Sequence, residues 1–481
     1  MIIVSYKNLY SYHAGILEIG MNFQQFERIF KPRSIAVVGA SSNPSKMGTM
    51  FLMALHTVGF PALYPVNPHE REILGLKAYP SVRDIPEEVD YALISVPADK
   101  VAAVVEDCVS KGVNAVAIYT SGFSEFNDEG REKEKTLVKI ADGKVRILGP
   151  NCLGAFCLQS KLNLALGSVE EGEVSFISQS GGNVETVANL ARKMGVGFSK
   201  VVSYGNACDL NGTDFIEYFG EDPETKIIIM YVEGVKDGKR FVEVTAKVSK
   251  TKPVIILRGG TTQGGSKAAA SHTGSLCGSN DIWNAVFKQT GAIEASSVEE
   301  LLATASAFTH IPKLNGKNVG MVGIGGGAGV MAVDECEKSG LSLPTFSPET
   351  IDKLGEIVPP IGTNIKNPID LSSYAQFNPP LFGKAVEIVS KDSIIDGLIL
   401  LYHNMSYIPG LLQEIERTTL DKDLSKPAIA VLEPAIEIEE IKEGHLRVGV
   451  PVYNNLAHAA KALCNVATYC ERVKFLKKHA I

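Results

Sequence analysis

Short runs of Val, Ile, Leu and Ala recur along the chain, and each ends in a turn rich in Gly, Ser, Asn or Pro. Between these runs lie longer stretches whose apolar residues recur every three to four positions. One such stretch is 100–111, with Val101, Val104, Val105 and Cys108. Short continuous apolar runs are typical of parallel strands covered on both faces, and the longer spacing predicts amphipathic helices. The alternation therefore predicts repeated βα units.

The predicted strands fall into three sets of four, and each set fits one doubly wound sheet. The sets are residues 34–38, 91–96, 115–119 and 146–148; then 174–177, 200–202, 227–232 and 253–257; then 319–322, 397–401, 428–432 and 452–453. Turn-rich stretches at 151–154 and 311–316 separate the sets. We therefore predict an α/β fold of three consecutive doubly wound domains, at residues 21–150, 151–312 and 313–481.

The composition of the 481-residue chain excludes two classes of protein. Hydrophobic residues make up 45% and charged residues 21%, which excludes wholesale disorder. The 47 Lys and Arg against 54 Asp and Glu give a net charge of −7, so no basic surface indicates nucleic acid as the main partner.

The cysteines and the apolar runs bear on location. None of the 8 Cys forms a CxxC pair, which argues against a disulfide framework or a zinc site and favours a reducing cytoplasm. The longest apolar runs are about half of the ~20 residues that a membrane helix needs. Residues 1–20 make a poor signal peptide, and a clean helical start follows at Met21. We therefore predict a disordered N-terminal extension at 1–20.

The first predicted strand leads into a glycine-rich turn, GASSNPSKMG, where a helix begins. Gly39 and Gly48 permit close backbone approach, and the free N–H groups of a helix start attract phosphate. The GxGxxG fingerprint is absent, and YPVNP at 64–68 stands where an acidic residue would bind a ribose. The turn therefore favours an adenosine-phosphate ligand over NAD, and the strand ends at 95–97 and 119–122 would line the same crevice.

The second domain offers a site for an anion. Its first predicted strand ends in Ser178, Gln179, Ser180, Gly181 and Gly182, and a helix follows. Small residues leave the first N–H groups of the helix accessible, and the helix dipole adds about half a positive charge there. This end suits inorganic phosphate or a phosphoryl group, with a plain Ser N-cap as the alternative.

A long loop of small residues at 258–274 carries one imidazole, His272. Long irregular loops in compact domains tend to be functional, and histidine is the natural carrier of a labile phosphoryl group. We therefore predict that His272 is catalytic. A phosphorylated imidazole needs an acceptor for its second N–H. Glu233, at a strand end, is the preferred candidate, and Asp209 and Asp214 are its competitors.

Five motifs follow one another along the chain: VGASSNPSKMG, ILGPNCLG, ISQSGGN, MYVEG and AAASHTGSLCGS. In these motifs the chain resembles the α subunit of NDP-forming acyl-CoA synthetases, the ADP-forming acetyl-CoA synthetase type within the succinyl-CoA synthetase superfamily. The resemblance covers essentially residues 21–481, and the third domain matches mainly by its layout and by NPIDL. It implies a Rossmann-like CoA-binding domain followed by two flavodoxin-like domains, the last of them at subunit contacts.

The resemblance also implies roles for single residues. The residues that would contact CoA are Gly39, Ala40, Ser41, Ser42, Lys46, Val66, Asn67, Pro68, Ser95, Val96 and Pro97. Phosphate would lie against Ser178, Gln179, Ser180, Gly181 and Gly182. His272 would carry the phosphoryl group, and Glu233 would orient its imidazole. Asn151 would donate to the reacting carbonyl oxygen, whereas Cys152 is interpreted as a packing residue.

Two absences from the sequence indicate a partner. An ATP-grasp region is not evident, and no GxxxxGK[ST] motif occurs. The richest glycine run, at 323–329, lacks the Lys of that motif and is interpreted as a packing turn. The resemblance therefore implies an ATP-grasp β subunit, in an α₂β₂ assembly, that binds ADP or ATP with Mg²⁺. A metal site in this chain, a nucleic acid and a membrane are not expected.

The expected reaction converts acyl-CoA, ADP and phosphate into a small carboxylic acid, ATP and CoA, through an acyl phosphate and a phosphohistidine. Two alternatives stay open from the residues alone. One is an NAD-dependent oxidoreductase, which the missing fingerprint disfavours. The other is a non-catalytic CoA-sensing module in which the loop of His272 is a flexible linker.

Overall fold

The computed structural model of the chain describes residues 23–164, 169–267, 278–311, 313–403, 424–433 and 444–478. The predicted N-terminal extension at 1–20 and His272 lie outside the described residues.

The helices and strands of the described residues are numbered in chain order. The helices are α1 Phe23–Phe30, α2 Met47–Thr57, α3 Ala98–Lys111, α4 Asp128–Ala141, α5 Gly181–Lys193, α6 Gly212–Glu221, α7 Gly238–Val248, α8 Asn280–Thr290, α9 Val298–His310, α10 Gly326–Ser339, α11 Pro348–Ile357, α12 Tyr374–Phe377, α13 Pro380–Ser390 and α14 Leu456–Lys478. The strands are β1 Ile35–Val38, β2 Leu63–Val66, β3 Glu72–Ile73, β4 Leu76–Lys77, β5 Tyr91–Ile94, β6 Ala115–Ile118, β7 Arg146–Leu148, β8 Gly154–Phe156, β9 Glu171–Ser178, β10 Phe198–Ser203, β11 Ile227–Val232, β12 Val254–Arg258, β13 Ile293–Ala295, β14 Val319–Gly323, β15 Ile369–Asp370, β16 Gly397–His403, β17 Ala428–Glu433 and β18 Val452–Tyr453.

Three sheets share one strand order. The first is β2-β1-β5-β6-β7, the second is β13-β12-β11-β9-β10-β8, and the third is β15-β14-β16-β17-β18. In each sheet the leading parallel strand lies between the second and the third, which is the doubly wound order 2-1-3-4-5. At the edge of the second sheet, β8 runs antiparallel to β10. The predicted α/β fold with three doubly wound sheets is confirmed.

Each predicted strand coincides with an observed strand, because its run of Val, Ile, Leu or Ala is buried between helices. The edge strands β2, β8, β13 and β15 and the hairpin of β3 and β4 were not among the predicted strands. All of them except β2 are two or three residues long, so they carry too few positions to show a period in the sequence, and β2 has four residues of which one is Pro65.

The helix α1 packs against the second domain rather than only against the first. Phe26 and Phe30 stack on the ring of Tyr218 in α6, with ring centroids 5.4 Å and 5.3 Å apart. Lys31, directly after α1, forms ion pairs with Glu27 at 3.0 Å and with Glu224. The aromatic stack and the ion pairs tie the beginning of the first domain to the second.

A fully buried lysine, Lys200, lies next to the contact between α1 and α6. Lys200 in β10 is 1% exposed, and its Nζ donates to Asp222 at 2.8 Å and to Glu224 at 2.7 Å. The same ammonium lies 5.6 Å from the ring centroid of Tyr218. Because Asp222 is also buried, the attraction between the two charges must offset the free-energy cost of removing both of them from water.

Two further observations concern the described ranges as a whole. None of their helices combines the length and the apolar character that a membrane crossing requires. Their cysteines are free thiols, most of them buried.

Replacing Lys200 by Met should destabilise the second domain by about 3–5 kcal/mol, because it leaves a buried carboxylate uncompensated. Urea unfolding followed by the fluorescence of Trp283 measures this, since the chain has 1 Trp and it is packed in the second domain against Phe241. The exposed Lys226 serves as control, and its replacement by Met should change stability by less than about 0.5 kcal/mol. Equal urea midpoints for the two variants would contradict the role of Lys200 as the partner that compensates the buried carboxylate of Asp222.

A candidate active site between the first two domains

The carboxyl ends of β1 and β5 meet where the strand order of the first sheet reverses, which is where ligands bind in such sheets. Gly39 follows β1 with φ +96°, and a Cβ there would overlap the carbonyl oxygen of Ser95. A Cβ on Gly48, in α2, would lie 2.6 Å from the carbonyl oxygen of Gly39. The two glycines therefore permit the close backbone packing that was predicted for this turn.

A cavity of about 180 Å³ opens at this switch point. It is lined by Val38, Gly39, Val66, Asn67, Pro68, Pro80, Ser81, Val82, Val96, Lys100, Val104 and Asp107. The structure thus brings together five of the residues predicted to contact CoA: Gly39, Val66, Asn67, Pro68 and Val96.

The other residues predicted for CoA lie around this cavity without lining it. The carbonyl oxygen of Ala40 accepts from Asn67 Nδ2 at 2.8 Å, and the N–H of Ser41 donates to Thr49 Oγ1 at 3.0 Å. The N–H of Ser42 donates to the carboxylate of Glu70 at 2.8 Å. Lys46 is the exposed N-cap residue of α2, and Ser95 and Pro97 follow β5.

Lys100, Ser81 and Asp107 also line this cavity and were not predicted from the sequence. Lys100 lies on the first turn of α3, and it is the cationic side chain among the described lining residues. Ser81 donates to Asp107, which also lies on α3, at 2.6 Å, and this contact joins the residues at 80–82 to that helix. Lys100 could have been identified from its position in the sequence, three residues after the turn that follows β5. The first turn of a helix at that position faces the ligand crevice.

In the second domain the N-terminus of α5 lies at the carboxyl end of β9. Ser180 is its N-cap, and the hydroxyl accepts from the N–H of Asn183 at 3.4 Å. Gly181 and Gly182 form the first turn, and a Cβ on Gly182 would meet nothing within 4 Å. The space beside Gly182 is therefore open, and the first N–H groups of the helix, which have no acceptor within the helix, lie at the positive end of its dipole.

Ser178 and Gln179 take part in holding this turn together. The buried hydroxyl of Ser178 donates to the carbonyl oxygen of Ser180 at 2.6 Å. Gln179 Oε1 accepts from the N–H groups of Glu233 at 2.9 Å and Gly234 at 3.2 Å. The side chain of Gln179 thus joins the ends of β9 and β11 at the switch point of the second sheet.

Glu233 lies at this junction as predicted from its strand end. It is 6% exposed, and Tyr231 Oη donates to its Oε1 at 3.1 Å. A Cβ on Gly259 would lie 3.1 Å from the Cγ of Glu233. The loop that leads to His272 therefore begins against this carboxylate, while His272 itself lies outside the described residues.

The two competitors of Glu233 are engaged elsewhere. Asp209 accepts from both arms of the Arg146 guanidinium at 2.9 Å and from the N–H of Ile147 at 2.8 Å. Asp214 closes the capping box of α6 and pairs with Arg240 at 2.6 Å. Their carboxylates thus hold structure, and of the three acids Glu233 is the one beside the start of the loop.

A larger cavity, of about 320 Å³, lies between the first and second domains. It is lined by Tyr119, Ser121, Asn151, Cys152, Leu153, Gln179, Ser180, Gly181, Gly182, Glu185, Gly205 and Asn206. Predicted residues from two places in the chain therefore meet here: Asn151 in the loop after β7, the last strand of the first sheet, and the turn at 179–182 after β9 of the second sheet. The N–H of Asn151 donates to the carbonyl oxygen of Thr120 at 3.1 Å.

Cys152 lines this cavity but is buried, and desolvation raises the pKa of its thiol to about 12. The thiol is therefore protonated at neutral pH and is a poor nucleophile. This agrees with its interpretation as a packing residue.

Sequence reasoning missed Leu153, Glu185, Gly205 and Asn206 in this cavity. A lone side chain in a loop carries no periodic signal, and its place in a wall depends on how two domains pack. Of these residues, Gly205 has the clearest reason for its type. A Cβ there would overlap the backbone oxygens of Pro150 and Asn151.

The arrangement suits a reaction between an anion and a carbonyl group. The neutral N–H groups of a helix N-terminus such as that of α5 suit an anion, and an amide such as that of Asn151 suits a carbonyl oxygen. Across the described ranges, no cluster of three or more His, Cys, Asp and Glu could hold a metal ion.

The glycine run of the third domain forms the turn between β14 and α10. Gly325 has φ +103°, and its N–H donates to Asp370 Oδ1 at 2.9 Å. A cavity of about 290 Å³ lies beside it, lined in part by Val330 and Leu401. The run thus ends in a helix N-terminus rather than in a nucleotide loop with a lysine.

Three family models match the chain in succession. A CoA binding domain matches residues 33–157, a succinyl-CoA ligase like flavodoxin domain matches 171–308, and a Ligase-CoA domain matches 319–471. These descriptions give no support to an oxidoreductase or to a sensing module.

Similar proteins of known sequence or structure agree with these models. The α subunit of acetate–CoA ligase [ADP-forming] II from Pyrococcus furiosus is 40% identical over 91% of this chain and 97% of its own length. Acetate–CoA ligase [ADP-forming] I from Archaeoglobus fulgidus is 37% identical, and the match covers 93% of this chain but 65% of that protein. A solved structure from Ca. Korarchaeum cryptofilum is entitled dinucleotide forming acetyl-coenzyme A synthetase 1 in complex with phosphate and ADP. It matches with a TM-score of 0.85 and 35% identity, over 95% of this chain and 99% of that one. The chain therefore belongs to the family of the α subunits of ADP-forming acetate–CoA ligases.

Proposed function

We propose that the cavity between the first two domains is where inorganic phosphate attacks the thioester carbon of an acyl-CoA. The observation that carries this proposal is the meeting of Asn151 and the N-terminus of α5 in one cavity of about 320 Å³. CoA bound in the first domain supplies the thioester, and the helix end of the second domain binds the phosphate. The substrate is a small carboxylic acid or its acyl-CoA.

The first step forms a carbon–oxygen bond and breaks a carbon–sulfur bond. An oxygen of hydrogen phosphate attacks the carbonyl carbon, and Asn151 stabilises the developing charge on the carbonyl oxygen. The thiolate of CoA leaves and takes the proton that the phosphate loses, so that acyl phosphate and CoA result. Positioning of two bound reactants supplies most of the rate enhancement.

The second step moves the phosphoryl group to His272. A ring nitrogen attacks the phosphorus, the bond from phosphorus to the acyl oxygen breaks, and the carboxylic acid leaves as its anion. Glu233 orients the imidazole by accepting its second N–H. In support, Glu233 is buried beside Gly259, where the loop of His272 begins.

CoA is assigned to the first domain. Its nucleotide portion would lie along Gly39, Ala40, Ser41, Ser42 and Lys46, and its arm would pass Ser95, Val96 and Pro97. Val66, Asn67 and Pro68 would close the opposite side. In support, the cavity of about 180 Å³ lies at the switch point of this sheet, and the family model for a CoA binding domain covers it.

The third step requires a partner. ADP and Mg²⁺ are assigned to an ATP-grasp β subunit in an α₂β₂ assembly, as the resemblance implies. The phosphoryl group passes from His272 to ADP there, and ATP results. In support, the Pyrococcus furiosus relatives are named α subunits, and the Archaeoglobus fulgidus relative is longer than the match.

The third domain is assigned to subunit contacts. In support, it exposes the large apolar side chains of Val330, Met331, Ile361 and Phe377, which are 55% to 84% exposed. Exposed apolar side chains of this size are typical of surfaces that another protein covers.

Replacing Gly182 by Asp should raise the KM for phosphate by about tenfold to a hundredfold, because a carboxylate then repels the anion at the helix end. Folding should not suffer, since a Cβ at Gly182 meets nothing within 4 Å and an acid suits the first turn of a helix. Gly238→Asp is the matched control, because Gly238 opens α7 with the same free space and lies outside the cavity. Steady-state kinetics with the co-expressed partner give the KM, and an unchanged value would refute the phosphate site.

Replacing His272 by Asn should lower ATP synthesis by the co-expressed pair by about 10³-fold or more, because the phosphoryl carrier is lost. Acyl phosphate formation, trapped with hydroxylamine as the hydroxamate, should persist. His458→Asn, in α14, is the control and should behave as the wild type. Continued ATP synthesis by the His272 variant would eliminate the relay.

A further inference from the structure

The wall of the larger cavity contains a buried amide that the proposed steps do not use. Asn206 follows β10 in the loop that leads to α6, and it is 6% exposed. A buried amide costs free energy unless its groups are hydrogen-bonded, so its partners indicate why it is there.

The partners of Asn206 are two carboxylates of the first domain. Its Nδ2 lies 2.5 Å from Glu125 Oε2 and 2.7 Å from Glu134 Oε1. Both neighbours are acceptors, so the nitrogen of the amide, and not its oxygen, must face them. Each of its two N–H bonds serves one carboxylate, and this fixes the orientation of the side chain.

The two carboxylates in turn hold one loop of the first domain. Glu125 accepts from the N–H of Gly122 at 2.5 Å and from the N–H of Phe123 at 3.2 Å. Glu134, in α4, accepts from the hydroxyl of Ser124 at 2.7 Å. This loop follows β6 and includes Ser121, which lines the cavity.

In the described ranges of the chain, the donors to these two acids are neutral. Among the described residues neither Glu125 nor Glu134 has an ion-pair partner, although Glu134 is 7% exposed. The amide of Asn206 is the group that joins both carboxylates to the second domain. Removing its N–H bonds would leave two negative charges facing the interface without a donor from that side.

The backbone of the loop after β10, which contains Asn206, also contacts the residues around Asn151. The N–H of Asn206 donates to the carbonyl oxygen of Pro150 at 3.0 Å, and Gly205 packs against Asn151. Asn206 therefore contacts the first domain twice, through its side chain at 122–134 and through its backbone beside Asn151. Residues from both places line the cavity opposite α5.

We propose that Asn206 is a positioning residue for the thioester reaction, which sets the spacing between the wall that bears Asn151 and Ser121 and the phosphate-binding end of α5. This inference rests on the proposed function. It predicts a loss of turnover when the amide is replaced, with binding of CoA retained, because the CoA cavity lies at the other switch point and does not include Asn206. A misplacement of about 1 Å costs about 100-fold in rate.

The diagnostic variant is Asn206→Asp, which keeps the shape of the side chain and turns two donors into a third carboxylate. A second variant combines Asn206→Asp with Glu134→Gln. It restores a hydrogen bond in the reverse direction, since the amide introduced at position 134 would donate to the carboxylate introduced at position 206. The matched control is Asn465→Asp. Asn465 lies in α14 of the third domain, away from the cavity, and its Nδ2 donates to Thr304 at 3.1 Å.

The assay is the release of CoA thiol from acetyl-CoA in the presence of phosphate and ADP by the full assembly, followed with a thiol reagent. For Asn206→Asp we expect kcat to fall about 100-fold, with the KM for acetyl-CoA and the Kd for CoA changed less than about threefold. The double variant should recover about tenfold of the lost rate, as a restored hydrogen bond to a charged group would. Asn465→Asp should match the wild type.

Three results would overturn the inference. They are an unchanged kcat for Asn206→Asp, a parallel loss of kcat and CoA binding, and a double variant that recovers nothing. A wild-type assembly that releases no thiol would overturn the proposed function and this inference with it. Wild-type turnover beside an equally active Asn206→Asp variant would overturn the inference alone.

Discussion

Backbone hydrogen bonds join the edge of the first sheet to the loop after β10 of the second domain. The N–H groups of residues 206, 208 and 210 donate to the carbonyl oxygens of residues 150, 149 and 147. Beside these bonds, Arg146 forms an ion pair with Asp209. Several bonds must break together before the two sheets can change their spacing. These bonds hold the loop that bears Asn151 against the loop of Asn206, and the side chain of Asn206 adds a contact to the loop that bears Ser121. Both loops are thereby positioned for a reaction between two bound groups.

The chemistry of the cavity follows from what its walls contain. No Lys, Arg or His is found among the described residues that line it, and Glu185 adds a carboxylate at its rim. Phosphate would thus be held by N–H groups and the dipole of α5 rather than by a fixed cation. Such a site binds an anion without forming an ion pair that would hinder the departure of the phosphoryl group toward the loop of His272.

The sequence predicted what depends on local pattern. Runs of Val and Ile predicted the strands. The turns that follow these strands indicated Gly39, the turn at 178–182 and Glu233 as site candidates, because the carboxyl ends of parallel strands share one edge of a sheet. It did not predict that the amide of Gln179 bonds to β11, or that Asn206 bonds to Glu125 and Glu134. These contacts join residues more than fifty positions apart, and neither spacing nor composition encodes them.

If phosphate itself attacks the acyl carbon in this cavity, one of its oxygens must end in the carboxylic acid, and an isotope label follows that oxygen. Acetyl-CoA and ADP are incubated with the full assembly and phosphate labelled with ¹⁸O in every position, and the released acetate is examined by mass spectrometry. Each acetate should contain one ¹⁸O, because the bridging oxygen of the acyl phosphate stays with the acyl group when the phosphoryl group leaves. Acetate without ¹⁸O, formed while ATP accumulates, would rule out attack by phosphate on the acyl carbon.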